Sequence, residues 1–129
     1  MLKGYWLAIN EIHDQETFNA YQKANRAALR RFGARFIITH GRHKVVEGEF
    51  PPVQTLIEFP SYDMAIAAYE DPEYQRASEL RLASSNGKLL IVEGFEEPPD
   101  FWAEADAKLA LAGQQTAPVR DEPAKAENT

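Results

Sequence analysis

The densest group of chemistry-bearing side chains in the sequence is His40-Gly41-Arg42-His43. Two histidines suggest a metal site, but side chains three positions apart on a strand point to opposite faces. The pair reaches one ion only if Gly41 bends the chain, so we expect no metal here and a solvent-exposed hairpin arm as the plainer interpretation. Arg42 beside an imidazole suits a carboxylate or another anion better. We therefore predict ligand binding at Arg42 and His43 and a catalytic role for His40.

Two carboxylates, Glu58 and Glu93, lie within otherwise apolar strand-like segments. An ionised carboxylate in such surroundings must be paired, or its pKa rises. Both are therefore candidates for acid–base work, and we take Glu58 with His40 as the predicted catalytic pair. The alternative is structural: a salt bridge to Arg35 or Lys3, or a strand-end position that reaches water.

Three further polar or aromatic residues are predicted to contact a ligand: Asn25, Tyr5 and Tyr21. Asn25 interrupts an apolar stripe at helical spacing, where a buried amide commonly bonds to backbone or to another side chain instead. Tyr5 and Tyr21 could line a cavity, whereas aromatic residues on strands and helix faces are more often plain core. Both interpretations remain open for all three residues.

Several classes of chemistry are disfavoured by what the sequence lacks. Nucleophile-elbow, phosphate-loop and dinucleotide-binding glycine patterns are absent, which argues against hydrolase, nucleotide and NAD chemistry. There are no cysteines, so disulfides, thiolate nucleophiles and thiolate metal sites are excluded. We expect no cofactor.

Composition limits the class of protein and its partners. The 129 residues are 44% hydrophobic, enough for one folded core. The net charge of −6 has the wrong sign for nucleic acid or anionic lipid, so neither is an expected partner. The opening residues lack the long apolar core of a signal peptide, and no run reaches the length of a membrane span. We expect a soluble, cytoplasmic protein.

Turn-forming residues separate segments that have the periodicity of strands or helices. The predicted strands are residues 3–10, 34–40, 53–59 and 88–95. Asp14 is expected to cap a first helix, which Gly33 ends with a left-handed backbone. Ser61 is expected to cap a second, Asp71-Pro72 to restart it, and Asn86-Gly87 to turn the chain into the last strand.

The order β-α-β-β-α-β closes, with right-handed crossovers, as a ferredoxin-like α+β domain with a four-stranded antiparallel sheet under its helices. The helices cover only one face, yet the predicted strands are apolar on both sides. An apolar face of that size usually marks an interface, and a second copy of the chain would cover it. We therefore predict a homodimer.

The composition changes after Glu97-Pro98-Pro99, where the strand-like segments stop. We predict a domain over residues 1–97 and a C-terminal extension over residues 98–129. Residues 100–112 have helix formers and a shared apolar face anchored by Phe101 and Trp102. The polar, proline-interrupted end from Gly113 onward is predicted to be disordered and dispensable.

Four stretches of the sequence resemble domain-of-unknown-function family 1330 of the dimeric α/β-barrel superfamily. They are KGYWLA, GARFIITHGRHKVVEG, IEFPSYDMAIAAYEDPEYQ and LLIVEGF, in order over roughly residues 1–96. The resemblance implies a ferredoxin-like protomer whose sheet packs on its twin, but it implies no activity. Superfamily relatives include cofactor-free monooxygenases and small-molecule lyases, which is an analogy at the level of the fold.

Two functions are therefore compatible with the sequence. The first is a homodimeric small-molecule-binding domain, or an enzyme, acting on a small apolar or aromatic carboxylate through His40, Arg42 and Glu58. The alternative is a non-catalytic dimeric structural or stress-related protein. An enclosed cavity lined by at least two of these three polar residues favours the first, and a filled interior favours the second.

Overall fold

The computed structural model describes residues 1–115 and divides the chain into two compact units, the first Met1–Phe95 and the second beginning at Glu96. In the first unit the strands are β1 (Gly4–Ile12), β2 (Arg35–Thr39), β3 (Val53–Phe59) and β4 (Ser85–Glu93). Its helices are α1 (Gln15–Ala24), α2 (Arg26–Arg31), α3 (Tyr62–Glu70) and α4 (Pro72–Ser84). The second unit contains α5 (Phe101–Gln115).

The four strands form one antiparallel sheet in the order β2-β3-β1-β4, which is the ferredoxin-like arrangement expected from the sequence. Leu7 of β1 pairs with Leu56 of β3 and with Leu90 of β4, which fixes which residues share a face. A bulge between Phe36 and Ile38 shifts the register where β2 pairs with β3. The predicted fold class is confirmed.

One face of the sheet, which we call the helix face, carries the hydrophobic core. Trp6 lies at its centre with 1% of its surface exposed, and its indole N–H donates to the Ala65 carbonyl oxygen at 2.9 Å. The Trp6 ring packs on Phe59 and Tyr74, with centroids 5.1 Å and 4.9 Å away. Aromatic packing of this kind ties α3 and α4 to β1 and β3.

The opposite face, which we call the open face, is not covered by any helix of the first unit. Register places Leu7, Ile38, Leu56, Leu90 and Val92 together there, across all four strands. Most of these side chains are exposed, Leu7 by 43% and Leu90 by 52%. The expectation that the strands are apolar on both faces is thereby confirmed.

The helix starts follow the predicted capping chemistry. Asp14 accepts a hydrogen bond from the Thr17 backbone N–H at 3.1 Å, and Ser61 accepts one from the Met64 N–H at 3.1 Å. Asp71 accepts from the backbone N–H groups at the start of α4. Gly33 has φ +77°, the left-handed conformation expected after the helix end.

The predicted single helix between Asp14 and Gly33 is divided at Asn25 into α1 and α2. Backbone hydrogen bonding crosses the division, because the Asn25 N–H donates to the Tyr21 carbonyl and the Asn25 carbonyl accepts from the Leu29 N–H. The irregularity is therefore local. It lies at Asn25, and asparagine is a poor helix former.

The expected turn at Asn86-Gly87 is wrong, because both residues lie inside β4. Asn86 pairs with Glu11 and Gly87 with Asn10, so the strand begins at Ser85, directly after α4. The reason for a glycine is close packing: a Cβ at position 87 would collide with the Asn10 amide oxygen and the Ile9 carbonyl.

Within the second unit, α5 extends through Gln115, past the predicted end at residue 112. The Phe101 and Trp102 rings pack edge to face, with centroids 5.3 Å apart. The rest of the predicted disordered tail lies outside the described residues. Among the helices described here, none is both long and apolar enough to cross a membrane.

Candidate functional site

A cavity of about 690 Å³ opens between the helix face of the sheet and helices α1, α2 and α4, and we call it the helix-face cavity. Its apolar lining comes from all four strands and from the first two helices. The principal apolar side chains are Trp6, Phe18, Leu29, Phe36, Ile57 and Leu89. The cavity therefore exists because the core residues of the helix face do not fill this end of the domain.

Polar side chains also line the cavity, among them Asn10, Tyr21, Asn25, His40 and Arg81. Tyr21 is committed to the fold, since its hydroxyl forms a 2.8 Å hydrogen bond with the buried Tyr74 hydroxyl. Burial and the neighbouring Tyr21 raise the pKa of Tyr74, so Tyr74 is a neutral hydroxyl at physiological pH. The Tyr21 hydroxyl is therefore a polar group of the lining that is already hydrogen-bonded.

The side chains of the two asparagines, unlike the Tyr21 hydroxyl, form no hydrogen bond within the described residues. Asn10 is 3% exposed, and its amide oxygen has no hydrogen-bond partner in the part of the chain that the structure describes. Asn25 is also buried, and its side chain caps no helix. An unpaired buried amide oxygen such as that of Asn10 costs on the order of 1–3 kcal/mol, and a hydrogen bond from a ligand would recover part of that cost.

Arg81 is the third uncommitted group and the only buried cation among residues 1–113. Its surface is 7% exposed, and no ion pair or hydrogen bond engages its guanidinium within the described chain. Its backbone carbonyl, by contrast, accepts from the Ser84 and Ser85 hydroxyls, so α4 holds the residue firmly. Five N–H donors and one positive charge are therefore presented in a mainly apolar space.

The charges around the helix-face cavity have one sign. Arg26 and Arg30 also line it and are exposed at its rim. No aspartate or glutamate is among the described residues that line it. A cavity with positive groups and no carboxylates, in a chain of net charge −6, favours an anionic occupant.

The structure brings together only some of the predicted site residues. His40, Tyr21 and Asn25 line the helix-face cavity, and His40 has φ +54°, the left-handed conformation in which β2 ends. Tyr5 and Glu58 do not line it, because register places both on the open face. Whether these residues serve a ligand stays a prediction, but they do not form one site.

Glu58 is part of a polar cluster on the open face. Its carboxylate accepts hydrogen bonds from the Tyr5 hydroxyl at 3.1 Å and from the Arg35 Nε at 3.2 Å. Desolvation raises the pKa of Glu58, but these two donors and the Arg35 charge outweigh it and leave the pKa lowered. The pKa of Tyr5 is raised, first by desolvation and then by its bond to Glu58. The arrangement is the salt bridge to Arg35 that the sequence allowed.

The hairpin arm, residues 40–52, is fully exposed up to Phe50 and contains no strand. Arg42 lines neither cavity, whereas His43 borders a shallow second cavity of about 500 Å³ formed by the arm itself. The His43 Nδ1 lies 3.0 Å from the Gly41 carbonyl oxygen. Nowhere in residues 1–115 do three or more histidines or carboxylates converge as a metal site would require.

Two residues of the cavity, Arg81 and Asn10, were not predicted, although the sequence contains a signal for each. Arg81 continues a buried stripe on α4, after Tyr74, Ala77 and Ser78 at helical spacing. Asn10 continues the inward-facing residues of β1. A charge or an amide that interrupts a buried apolar pattern marks either an internal pair or a ligand contact.

The family model for a domain of unknown function, DUF1330, matches residues 3–95, which is nearly the whole first unit. The chain belongs to the DUF1330 family. No curated protein matches it. The DUF1330 match confirms the resemblance carried by the sequence motifs and leaves the activity open.

Solved structures share the DUF1330 chain's fold. A protein of unknown function from Rhodopseudomonas palustris, RPA0582, is 15% identical with a TM-score of 0.62, covering 74% of this chain and 84% of that chain. A dimeric ferredoxin-like protein of unknown function from Jannaschia sp. CCS1 is 21% identical with a TM-score of 0.52, covering 73% and 99%. SnoaB, a cofactor-independent oxygenase from Streptomyces nogalater, is 10% identical with a TM-score of 0.54, covering 77% and 99%. These likenesses establish the ferredoxin-like fold.

Proposed function

We propose that this DUF1330 protein is a homodimer that binds a small, mainly apolar molecule in the helix-face cavity. The observation that carries the proposal is a cavity of about 690 Å³ lined by aromatic and aliphatic side chains and by uncommitted amides. Sites for small organic molecules typically have about 300–1,000 Å³ and this kind of lining. A purely structural domain would gain stability by filling the space, so the scaffold interpretation is less favoured.

The open face supports the homodimer. Leu7, Leu56 and Leu90 lie side by side across three strands, and Ile38 and Val92 extend the same apolar surface. Exposed apolar surface on this scale is unfavourable in water, and the matching face of a second copy is complementary to it by symmetry. Dimerisation through this face leaves the helix-face cavity accessible, because the two lie on opposite sides of the sheet.

Of the two residues predicted as acid–base groups, His40 alone lines the cavity. The His40 imidazole would therefore carry out any proton transfer to or from a bound molecule. Glu58 belongs to the polar cluster of the open face and would take no part in it. Imidazole is the usual group for such transfer near neutral pH. We place His40 at the site as the candidate acid–base residue of a reaction that is not yet identified.

A blocked cavity tests the binding proposal. Val53 lines the cavity and is partly exposed, so Val53→Trp should fill the space without overpacking the core. We expect wild-type protein to bind compact bicyclic aromatic probes such as 2-naphthoate and 2-naphthol, and the variant to lose that binding, in isothermal titration calorimetry and thermal-shift assays.

The matched control is Val46→Trp, the same substitution on the exposed hairpin arm and outside this cavity. It should leave probe binding unchanged. Binding that survives Val53→Trp while the variant keeps the wild-type circular dichroism spectrum would contradict the proposal, as would the absence of binding by every bicyclic probe.

A further inference from the structure

We infer that the ligand of the helix-face cavity is a monocarboxylate whose anionic group pairs with Arg81, an inference that rests on the proposed binding function and adds the chemical class of the ligand. The first observation is the isolated guanidinium. Arg81 is 7% exposed, lines the cavity, and has no anionic partner within the described residues. Lone buried charges are costly, and proteins keep them where a ligand completes the pair.

The second observation is the absence of a competing carboxylate. The other cations of the lining, Arg26 and Arg30, are exposed at the rim, and the described lining residues include no acid. An incoming anion is therefore attracted at the rim and meets the one buried cation of the lining inside. A cationic ligand would meet like charge throughout.

The single positive charge buried in the cavity determines which type of anion fits it best. One guanidinium matches the single charge of a carboxylate, and its planar N–H fork fits the two carboxylate oxygens. A phosphate monoester carries close to two negative charges at neutral pH, and one guanidinium would neutralise only part of that charge. The aromatic lining, with Trp6, Phe18 and Phe36, suits an aromatic or alicyclic body on the carboxylate.

The uncommitted amides add a second contact. Each amide offers two donors and one acceptor, and rotation about the terminal bond exchanges its oxygen and nitrogen. Asn10 and Asn25 can therefore bond to a hydroxyl or carbonyl on the ligand body while Arg81 holds the carboxylate. The ligand class is a hydroxy- or oxo-substituted cyclic monocarboxylate.

Charge selectivity of the wild-type protein is the first part of the test. Calorimetry compares 2-naphthoate with the neutral 2-naphthamide, the cationic 2-naphthylmethylamine and 2-naphthyl phosphate. We expect 2-naphthoate to bind at least about 30-fold more tightly than the amide, the range for a buried charge pair, and the amine not to bind. Equal binding of acid and amide would overturn the inference but leave the binding function standing. Tighter binding of the phosphate would overturn the carboxylate assignment.

Arg81→Met is the second part of the test. The substitution keeps a long side chain and removes an unpaired buried charge, so the unliganded melting temperature should stay the same or rise. Affinity for 2-naphthoate should fall at least about 30-fold, while 2-naphthamide affinity stays within about threefold. Arg81→Lys keeps the charge without the fork and should give an intermediate loss.

The control is Arg76→Met, which removes an exposed arginine of the same helix that does not line the cavity. It should leave both affinities unchanged. A large fall in the melting temperature of unliganded Arg81→Met would show a structural role for Arg81 and overturn the inference, as would unchanged 2-naphthoate binding. If none of the four probes binds wild-type protein, the proposed function itself fails.

Discussion

Glu58 illustrates how the partners of one carboxylate decide its role. Tyr5 and Arg35 both donate to it on the open face, and both stabilise its ionised form. Its pKa is therefore lower in the folded chain than in the unfolded chain. For a lowered carboxyl pKa, the stabilisation is present above the unfolded-state pKa and is lost as the pH falls through the folded-state pKa.

Glu58→Gln should accordingly lower the melting temperature at pH 7. The gap from wild type should begin to narrow below about pH 5 and shrink as the pH falls through the lowered pKa of Glu58, because acid then protonates the wild-type carboxylate. Thermal unfolding followed by circular dichroism across this pH range measures the effect. Glu49→Gln, on the exposed arm, is the control and should show no such gap. A gap for Glu58→Gln that does not narrow as the pH falls from about 7 to about 3 would contradict the assigned ionisation.

Strand β4 depends on a close approach to β1 at one position. Gly87 pairs with Asn10, and the Asn10 amide occupies the space that a side chain at position 87 would need. The same amide lines the helix-face cavity. The pairing of β4 with β1 therefore affects the shape of the cavity as well as the stability of the sheet.

Gly87→Ala should destabilise the protein by about 1–3 kcal/mol, because the added methyl group forces the Asn10 amide or the backbone of β1 to move. Urea denaturation measures the change. Gly41→Ala is the matched control: nothing lies within 4 Å of the added Cβ there, so its effect should stay within about 0.5 kcal/mol. Equal effects at the two positions would show that β4 tolerates a side chain at Gly87.

At the scale of the whole molecule, the sheet has two different surfaces. Its helix face holds the core and the cavity, whereas its open face presents an apolar surface with the Glu58 cluster at one end. A monomer would leave the apolar surface in water at a cost of roughly 25 cal/mol per Å². Association of two open faces removes that cost and leaves the cavities outward.

Leu7→Lys places a charge at the centre of the open face and should convert the proposed dimer to a monomer in analytical ultracentrifugation. Wild-type protein should retain twice the monomer mass on dilution to nanomolar concentration. Leu82→Lys, which replaces an exposed leucine on α4, should remain dimeric. A dimeric Leu7→Lys variant with an unchanged circular dichroism spectrum would exclude the open face as the interface.

Much of the fold could be predicted from local chemistry. Asp14 and Ser61 cap helices, Gly33 ends one, and apolar strands separated by turn residues define the β-α-β-β-α-β order. Each of these features depends on residues close together in the chain, so the sequence alone contains the information. The motifs that matched DUF1330 extended over the same residues.

The location of the site was decided only by the tertiary structure. His40 and Glu58 both looked suited to acid–base chemistry, but His40 lines the helix-face cavity, whereas strand register places Glu58 on the open face. Arg81 and Asn10 are far apart in the chain, and only the packing of α4 and β1 around one unfilled space brings them to the same cavity. Local sequence patterns determine which elements form, whereas contacts between distant elements determine which side chains they leave without partners.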